Sequence, residues 1–318
     1  MTTQEMYTNI CEKLWAYFGG APTELTVPGA EELALGVFAG LYREGFRLAG
    51  KRVRILGGGS FAAALAACLK SGGVAEVTVG GAGEIATATS GGASLTGAEY
   101  YIRLAGGEEP ALRDLAGAEG VCDLTVLPLR SRLLLDAEEA DLLTCGGIYP
   151  LTAAIGILRG RAIGAAPAPT EMEKTMRRYL RAVSNLAVTG LHGDGAEAVA
   201  EALSRISRRP LIRVGRGEAA ATCAGAEGKL FLLEEGIAAD PEALLPVTEN
   251  GRCVFVAPPL DTLKEGTGDP ARSMRYRGVL GTYTAFCDRT FEHTGDPADT
   301  ARRIFDDFLR APYLKRSK

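Results

Sequence analysis

The chain has 318 residues, 47% hydrophobic and 23% charged, with a formal net charge of −4 at pH 7. That length and balance fit a globular protein of two domains with sizeable cores, and the mild negative charge gives no electrostatic case for nucleic acid. No apolar run reaches bilayer length and the opening MTTQEMYTNICEKLW lacks a signal-peptide layout, so a cytoplasmic protein without a membrane partner is expected.

The predicted elements begin with EMYTNICEKLWAYF, apolar at helical spacing and broken by GGAP. ELTV reads as a short strand-like piece, and a helix is predicted over 29–45. From Lys51 the run KRVRILGGGSFAAALAACLKSGGVAEVTVG alternates strand, glycine turn, helix and strand. That is a βαβ unit, which requires a parallel sheet and a right-handed crossover. Further short buried strands are predicted at 122–129, 140–147 and 160–166. A helix follows over 170–183, with Thr170 as its N-cap because Glu173 stands three residues later. A second βαβ-like series starts at Asn185: NLAVTG, a helix over 196–206, strands at 210–214, 228–236 and 252–259, and a closing helix over 297–311. The predicted fold is α/β, with two open, mainly parallel sheets in domains 1–183 and 184–318. Its sites should lie at the carboxyl ends of the strands.

Seven cysteines, at 11, 68, 122, 145, 223, 253 and 287, form no CxxC pair, which favours reduced thiols over disulfides or zinc. The two histidines, His192 and His293, are too few for a histidine metal site or a serine–histidine triad, and no metal is expected.

Two glycine turns carry the functional signal. GGGSFA (57–62) fits G-x-G-x-x-A between a strand and a helix. Gly57 allows the tight turn and Gly59 lets backbone approach a pyrophosphate. Ser60 and Phe61 open a helix whose N-terminus attracts anions, and Ala62 lets it pack on the strand. These five residues are the candidate cofactor site; the bland alternative is a close strand-to-helix turn and nothing more. Against a cofactor, VTVGGAGE (77–84) offers no acid for the ribose and no base for a 2′-phosphate, unless Glu84 reaches round. In the second turn, TGLHGDGAEA, Gly190, Gly193 and Gly195 occupy phosphate-loop positions. Ala196 and Glu197 stand where a P-loop has lysine and a hydroxyl residue. Ala196 reaches no phosphate, and Glu197 sets a repelling carboxylate at the helix N-terminus, where an acid is also an ordinary first-turn residue.

The segment LYREGFRLAGKRVRILGGGSFAAALAACLKSGGVAEVTV resembles the nicotinamide-binding domain of shikimate dehydrogenases, which runs G-F-x-L-x-G-K-x-V-L-x-L-G-A-G-G-A-A. VCDLTVLPL resembles that family's strand ending in an Asn-Ala/Thr-x-Pro loop, and GGIYPLTA its Y-N-P-x-x-T. The likeness covers about residues 36–180. It implies a Rossmann fold, a nicotinamide cofactor (usually NADP), dehydroshikimate–shikimate interconversion, and Tyr149 as a substrate contact, with a packed tyrosine as the structural alternative. The chain departs from the family at several points. The 50 residues before Lys51 hold no counterpart of the family's substrate domain with its catalytic lysine and aspartate, and PGAEELALGVF replaces N-T-D-G. Gly80, Gly81 and Ala82 replace the N-R-T that reads the 2′-phosphate. Lys13, Glu12, Glu24, Glu31 and Glu32 are expected as surface charges, and no proton donor for hydride transfer can be named.

NLAVTGLHGDGAEAVAEALSRISRRPLIRV is similar to the opening of shikimate kinases, and EEGIAADPEALLPVTENGRCVFVAPPLDTLKEGTGDPARSMRYRG to their later segments. This likeness covers about 184–311. It implies a P-loop kinase-like fold, a lid arginine at Arg272 and a substrate arginine at Arg289, with surface roles as the alternative. The family's Asp-x-Asp is here Gly215 and Gly217, its glycine triplet is Glu234, Glu235 and Gly236, and its substrate insert shortens to GEAAATCAGAEGK. ATP and magnesium are therefore not expected, while NADP stays open. The expected function is that of a non-catalytic homologue of both enzymes, with a binding, regulatory or scaffolding role and no catalytic residue. The alternatives are an NADP-dependent oxidoreductase of altered substrate, or a module completed by a partner. Expected partners are a small-molecule or anionic ligand or another shikimate-pathway protein, with the oligomeric state open.

Overall fold

The computed structural model describes residues 3–19, 27–80, 97–107, 109–164, 168–191, 193, 195–259 and 270–311. Glu24 and most of ELTV, Gly81, Ala82, Glu84, His192 and the side chain of Arg272 lie outside the described residues. The chain divides into two compact units, one up to Tyr179 and one from Leu180.

In the first unit, α1 (Thr3–Tyr17) buries Ile10, Leu14 and Trp15, and α2 (Ala30–Arg43) follows. Then come β1 (Arg52–Leu56), α3 (Ser60–Ser71), β2 (Glu76–Val79), β3 (Tyr100–Arg103), β4 (Gly120–Asp123), α4 (Arg132–Glu139), β5 (Leu143–Gly146), α5 (Ile148–Ile163) and α6 (Pro169–Val183). The five strands are parallel in the order β2-β1-β3-β4-β5. Strand alternation sends Val53, Ile55, Tyr100 and Ile102 into one core with α2 and α3, and Leu56, Tyr101 and Val121 into another. The chain leaves β1 toward opposite sides for β2 and β3, so a crevice opens beyond the carboxyl end of β1, where open α/β sheets hold ligands. Helix α2 lies directly on α5. A Cβ at Gly36 would stand 2.2 Å from the Pro150 carbonyl oxygen, and one at Gly40 would stand 2.8 Å from the Pro150 ring.

Four expectations need correction. Residues 160–163 are the last turn of α5, which Gly164 closes in the left-handed region at φ 70°. The stretch reads as a buried strand because α5 is buried along Ile148–Gly156 and shows no polar face there to mark its helical period. The strand at 122–129 stops at Asp123, and 124–129 is loop. Strand β3 (Tyr100–Arg103) is not among the expected strands. Helix α6 begins at Pro169, so Thr170 sits inside the first turn; proline is favoured as the first helical residue because its missing N–H is not needed there.

The second unit contains β6 (Asn185–Gly190), α7 (Ala196–Ser207), β7 (Leu211–Val214), α8 (Ala219–Cys223), β8 (Leu230–Leu233), α9 (Pro241–Thr248), β9 (Gly251–Ala257), α10 (Pro270–Phe286), β10 (Arg289–Glu292) and α11 (Pro297–Arg310). Its strands are again parallel, in the order β10-β9-β6-β8-β7. Leu186 and Val188 face α7 and α11, while Ala187, Phe231, Cys253 and Phe255 face Tyr276 and Tyr283 of α10. Asp240 and Asp296 cap α9 and α11 by accepting from amides of the first turn, each with proline next in line. The central strand β6 has β8 on one side and β9 on the other, which opens the second crevice at its carboxyl end. Among the described residues, no helix is long and apolar enough to cross a membrane.

Candidate functional site

In the first crevice, β1 runs into Gly57 at φ 130°, where a Cβ would press on Leu104 at 3.0 Å. Gly59, at φ 89°, immediately precedes α3. Both angles are ones that L side chains rarely adopt, so glycine is required at both positions. Gly58, Gly59 and Ser60 are exposed, Phe61 is half-buried and Ala62 is buried against the sheet. The first helical bond runs from the Ala63 amide to the Gly59 carbonyl. The amides ahead of it are those a helix leaves for an anion, and the first turn carries neither an acid nor a side-chain cap. The loop after β3 closes on the same point: a Cβ at Gly107 would stand 2.4 Å from the Leu56 carbonyl oxygen.

Beside this turn lies a buried polar group with no sequence signal. Asp123, fully buried at the end of β4, accepts from Arg103 Nη1 at 2.9 Å, from the Thr125 amide at 3.0 Å and from the Ser131 hydroxyl. Ser131 Oγ also accepts from the Leu134 amide, capping α4, and Arg103 Nε donates to the Gly107 carbonyl at 3.1 Å. A carboxylate already holding three donors, one of them a guanidinium, is a fixing point for the loops after β3 and β4, not a general base.

Tyr149 lies buried in the first turn of α5, with the Arg43 guanidinium 4.5 Å above its ring centre. Burial raises its phenol above the ordinary value, and Arg43 opposes that. Tyr149 lines a cleft of about 460 Å³ together with Arg43, Pro169, Thr170, Glu173, Lys174 and Arg177. Glu173 pairs with Arg43 at 2.9 Å and with Arg177 at 2.8 Å. Tyr149 thus forms part of the cleft wall under the Arg43 guanidinium, and none of residues 57–62 lines this cleft. Glu32 is not a simple surface charge: it is buried, accepts from the Gly29 amide at 3.0 Å and pairs with Arg161.

In the second crevice, β6 ends at Gly190, where a Cβ would stand 2.6 Å from that of Ala196, so strand end and helix start touch. Gly193 and Gly195 both have φ 84°. The His293 imidazole covers Gly195, with Cδ2 2.6 Å from where its Cβ would lie, and His293 Nδ1 hydrogen-bonds with the Thr300 hydroxyl at 3.0 Å. The turn opens on a cleft of about 920 Å³ whose charged lining is Glu197, Glu201, Glu234, Glu235 and Arg213. Glu197 and Glu201 share Arg213, at 2.5 and 3.5 Å, and Glu234 accepts from the Arg216 amide at 2.8 Å. Among the described residues of the lining, four carboxylates face one committed guanidinium. A like-charged pair 4 Å apart near a protein surface repels by about 4 kcal/mol. Glu201 and Arg213 escaped the sequence reading; the signal was the i,i+4 acid pair on α7 opposite an exposed arginine on β7.

Arg289 opens β10 opposite Val254, at the amino end of the strand and outside the cleft lining. Among the described residues, no group of three or more His, Cys, Asp or Glu side chains is arranged to hold a metal ion.

No family model matches the chain, and no curated protein matches it. Solved structures do. A chorismate mutase/shikimate 5-dehydrogenase fusion protein from Clostridium acetobutylicum is 14% identical with a TM-score of 0.40, over 46% of this chain and 60% of its own. Shikimate dehydrogenase 1 from Peptoclostridium difficile is 13% identical with a TM-score of 0.39, over the same shares. Shikimate kinase from Aquifex aeolicus vf5 is 16% identical with a TM-score of 0.31, over 39% of this chain and 95% of its own. The chain thus spans about 60% of the length of the dehydrogenases it matches. The α/β class and the Rossmann-like character of the first sheet rest on strand order, parallel register and the glycine turn.

Proposed function

We propose that this protein is a non-catalytic homologue of the shikimate-pathway dehydrogenase and kinase that works by binding, in a cytoplasmic setting. The observation that carries the reading is the charge of the second cleft: Ala196 stands in the lysine position, and Arg213 is already held by Glu197 and Glu201. Among the described residues that line it, no other cation is present to neutralise a transferring phosphate. In the first unit, Asp123 is saturated by donors and Tyr149 is covered by Arg43, so neither supplies a proton for hydride transfer. The open start of α3 behind Gly57 and Gly59 supports an anionic ligand. It fits the pyrophosphate of a dinucleotide, while Gly80 offers no side chain to a 2′-phosphate.

Isothermal titration of the whole protein with ATP–magnesium and with NADPH tests this. The expected result is no ATP binding at millimolar concentration and no phosphoryl transfer to shikimate; ATP binding with ordinary kinase affinity would overturn it. A second reading, an NADP-dependent oxidoreductase of altered substrate, draws on the same acid-free helix start. It requires NADPH to quench the buried Trp15 or to be consumed with a small ketone, and fails if neither occurs.

A further inference from the structure

Four of the seven cysteines lie in two buried pairs. In the first unit, Cys122 and Cys145 are ladder partners on β4 and β5, enclosed in the core under α2. In the second, Cys253 on β9 and Cys287, in the bend between α10 and β10, place their Sγ atoms 3.7 Å apart. Two hydrogen bonds hold this second frame: the Asp288 amide donates to the Cys253 carbonyl at 2.8 Å, and the Cys253 amide donates to the Asp288 carboxylate at 2.8 Å. The Cys287 amide donates to the Tyr283 carbonyl at 2.8 Å, fixing the end of α10. The sulfurs stand 3.7 Å apart against the ~2.05 Å of a disulfide bond, so they must approach by about 1.7 Å to bond. The two partners differ in access: Cys287 is 7% exposed in a connecting bend, and Cys253 is fully enclosed in the sheet.

We propose that Cys253 and Cys287 form a peroxide-sensitive dithiol, with Cys287 the sulfur oxidised first and Cys253 the resolving sulfur. Hydrogen peroxide transfers one oxygen to Cys287 Sγ, giving the sulfenic acid and one water. Cys253 Sγ then attacks Cys287 Sγ, the S–O bond breaks, and the oxygen leaves with the thiol proton as a second water. Two thiols and one peroxide thus become one disulfide and two waters. The bond fastens the α10–β10 bend to the sheet. Both elements joined by that bend touch the border of the second cleft: the Tyr283 hydroxyl accepts from the amide of Gly236, which follows Glu235 of the lining, at 2.9 Å, and His293, just past β10, covers Gly195 of the lining. Oxidation therefore stiffens two sides of the cleft rim. The chemistry is independent of what the cleft binds.

The test exposes the whole folded protein to a graded dose of hydrogen peroxide, quenches it, alkylates the remaining thiols in denaturant and maps unreduced peptides by mass spectrometry. The expected result is a Cys253–Cys287 linked peptide that grows with dose, while Cys122 and Cys145 stay alkylated. In C253S, Cys287 should instead accumulate as a sulfenic acid trapped by dimedone, and oxidised wild type should show slower amide exchange over 287–293 than the reduced form. The proposal is overturned if Cys287 passes to the sulfinic acid with no linked peptide, if the link forms only after unfolding in guanidinium, or if Cys122 and Cys145 link at the same dose. The wild-type map decides the matter even if C253S does not fold.

Discussion

A methyl group on Gly195 would meet two obstacles: a left-handed backbone at φ 84° and the His293 ring 2.6 Å from its position. Gly193 shares the angle, but among the described residues nothing stands within 4 Å of its Cβ position. Gly193→Ala should therefore cost about 1 kcal/mol of stability, the backbone penalty alone, and Gly195→Ala about 1–3 kcal/mol more, as the ring is forced aside. Urea denaturation of both variants checks this, and equal losses would mean that the imidazole yields freely. Asp123→Ala leaves Arg103 at the end of β3 without its buried partner and should cost about 3–5 kcal/mol by the same measurement. The glycines of both turns were legible in the sequence because positive φ restricts the residue type. Asp123 was not: its donors come from β3 and from the loops on either side of Pro128, and no local pattern joins them.

Helix ends show how much of each element is local. Ser131→Ala removes the cap of α4 and a donor to Asp123 together, with an expected loss of about 1–2 kcal/mol in chemical denaturation. Asp296→Ala at α11 removes a cap alone and should cost about 1 kcal/mol. A larger loss at Asp296 than at Ser131 would contradict the link through Asp123. The βαβ run from β1 to β2, the strand β6 and the helix α7 were readable because glycine turns punctuate them and their apolar periods are clean. β3 and β10, at four residues each, are strands by virtue of their neighbours in the ladder, and their sequences YYIR and RTFE carry no turn signal of their own.

At the scale of the whole molecule, each unit buries a thiol whose ionisation is suppressed: burial pushes Cys11 up to about 12 and Cys223 up to about 11, from an ordinary 9.0. A folded pKa raised above its unfolded value favours the native state fully below the unfolded value, and that stability is lost as pH rises through the folded one. Thermal melts should therefore hold level up to about pH 9 and fall toward pH 11; an unchanged melting temperature across that window would rule the thiols out. The two-sheet architecture was legible from alternation alone, whereas the acidic lining of the second cleft needed the fold to bring β7, β8 and α7 together. A last consequence belongs to the glycine contact between α2 and α5. The Pro150 carbonyl rests on the backbone of Gly36 and the Pro150 ring on that of Gly40, so α2 has a close-fitting seat on its neighbour: sliding it one turn would bring Glu32 to the first contact or Glu44 to the second. Arg43 sits one turn beyond that seat and Tyr149 one residue before Pro150. The cover over Tyr149 thus opens by rotation of an arginine side chain, like a shutter on a fixed frame, and not by movement of the helix that carries it.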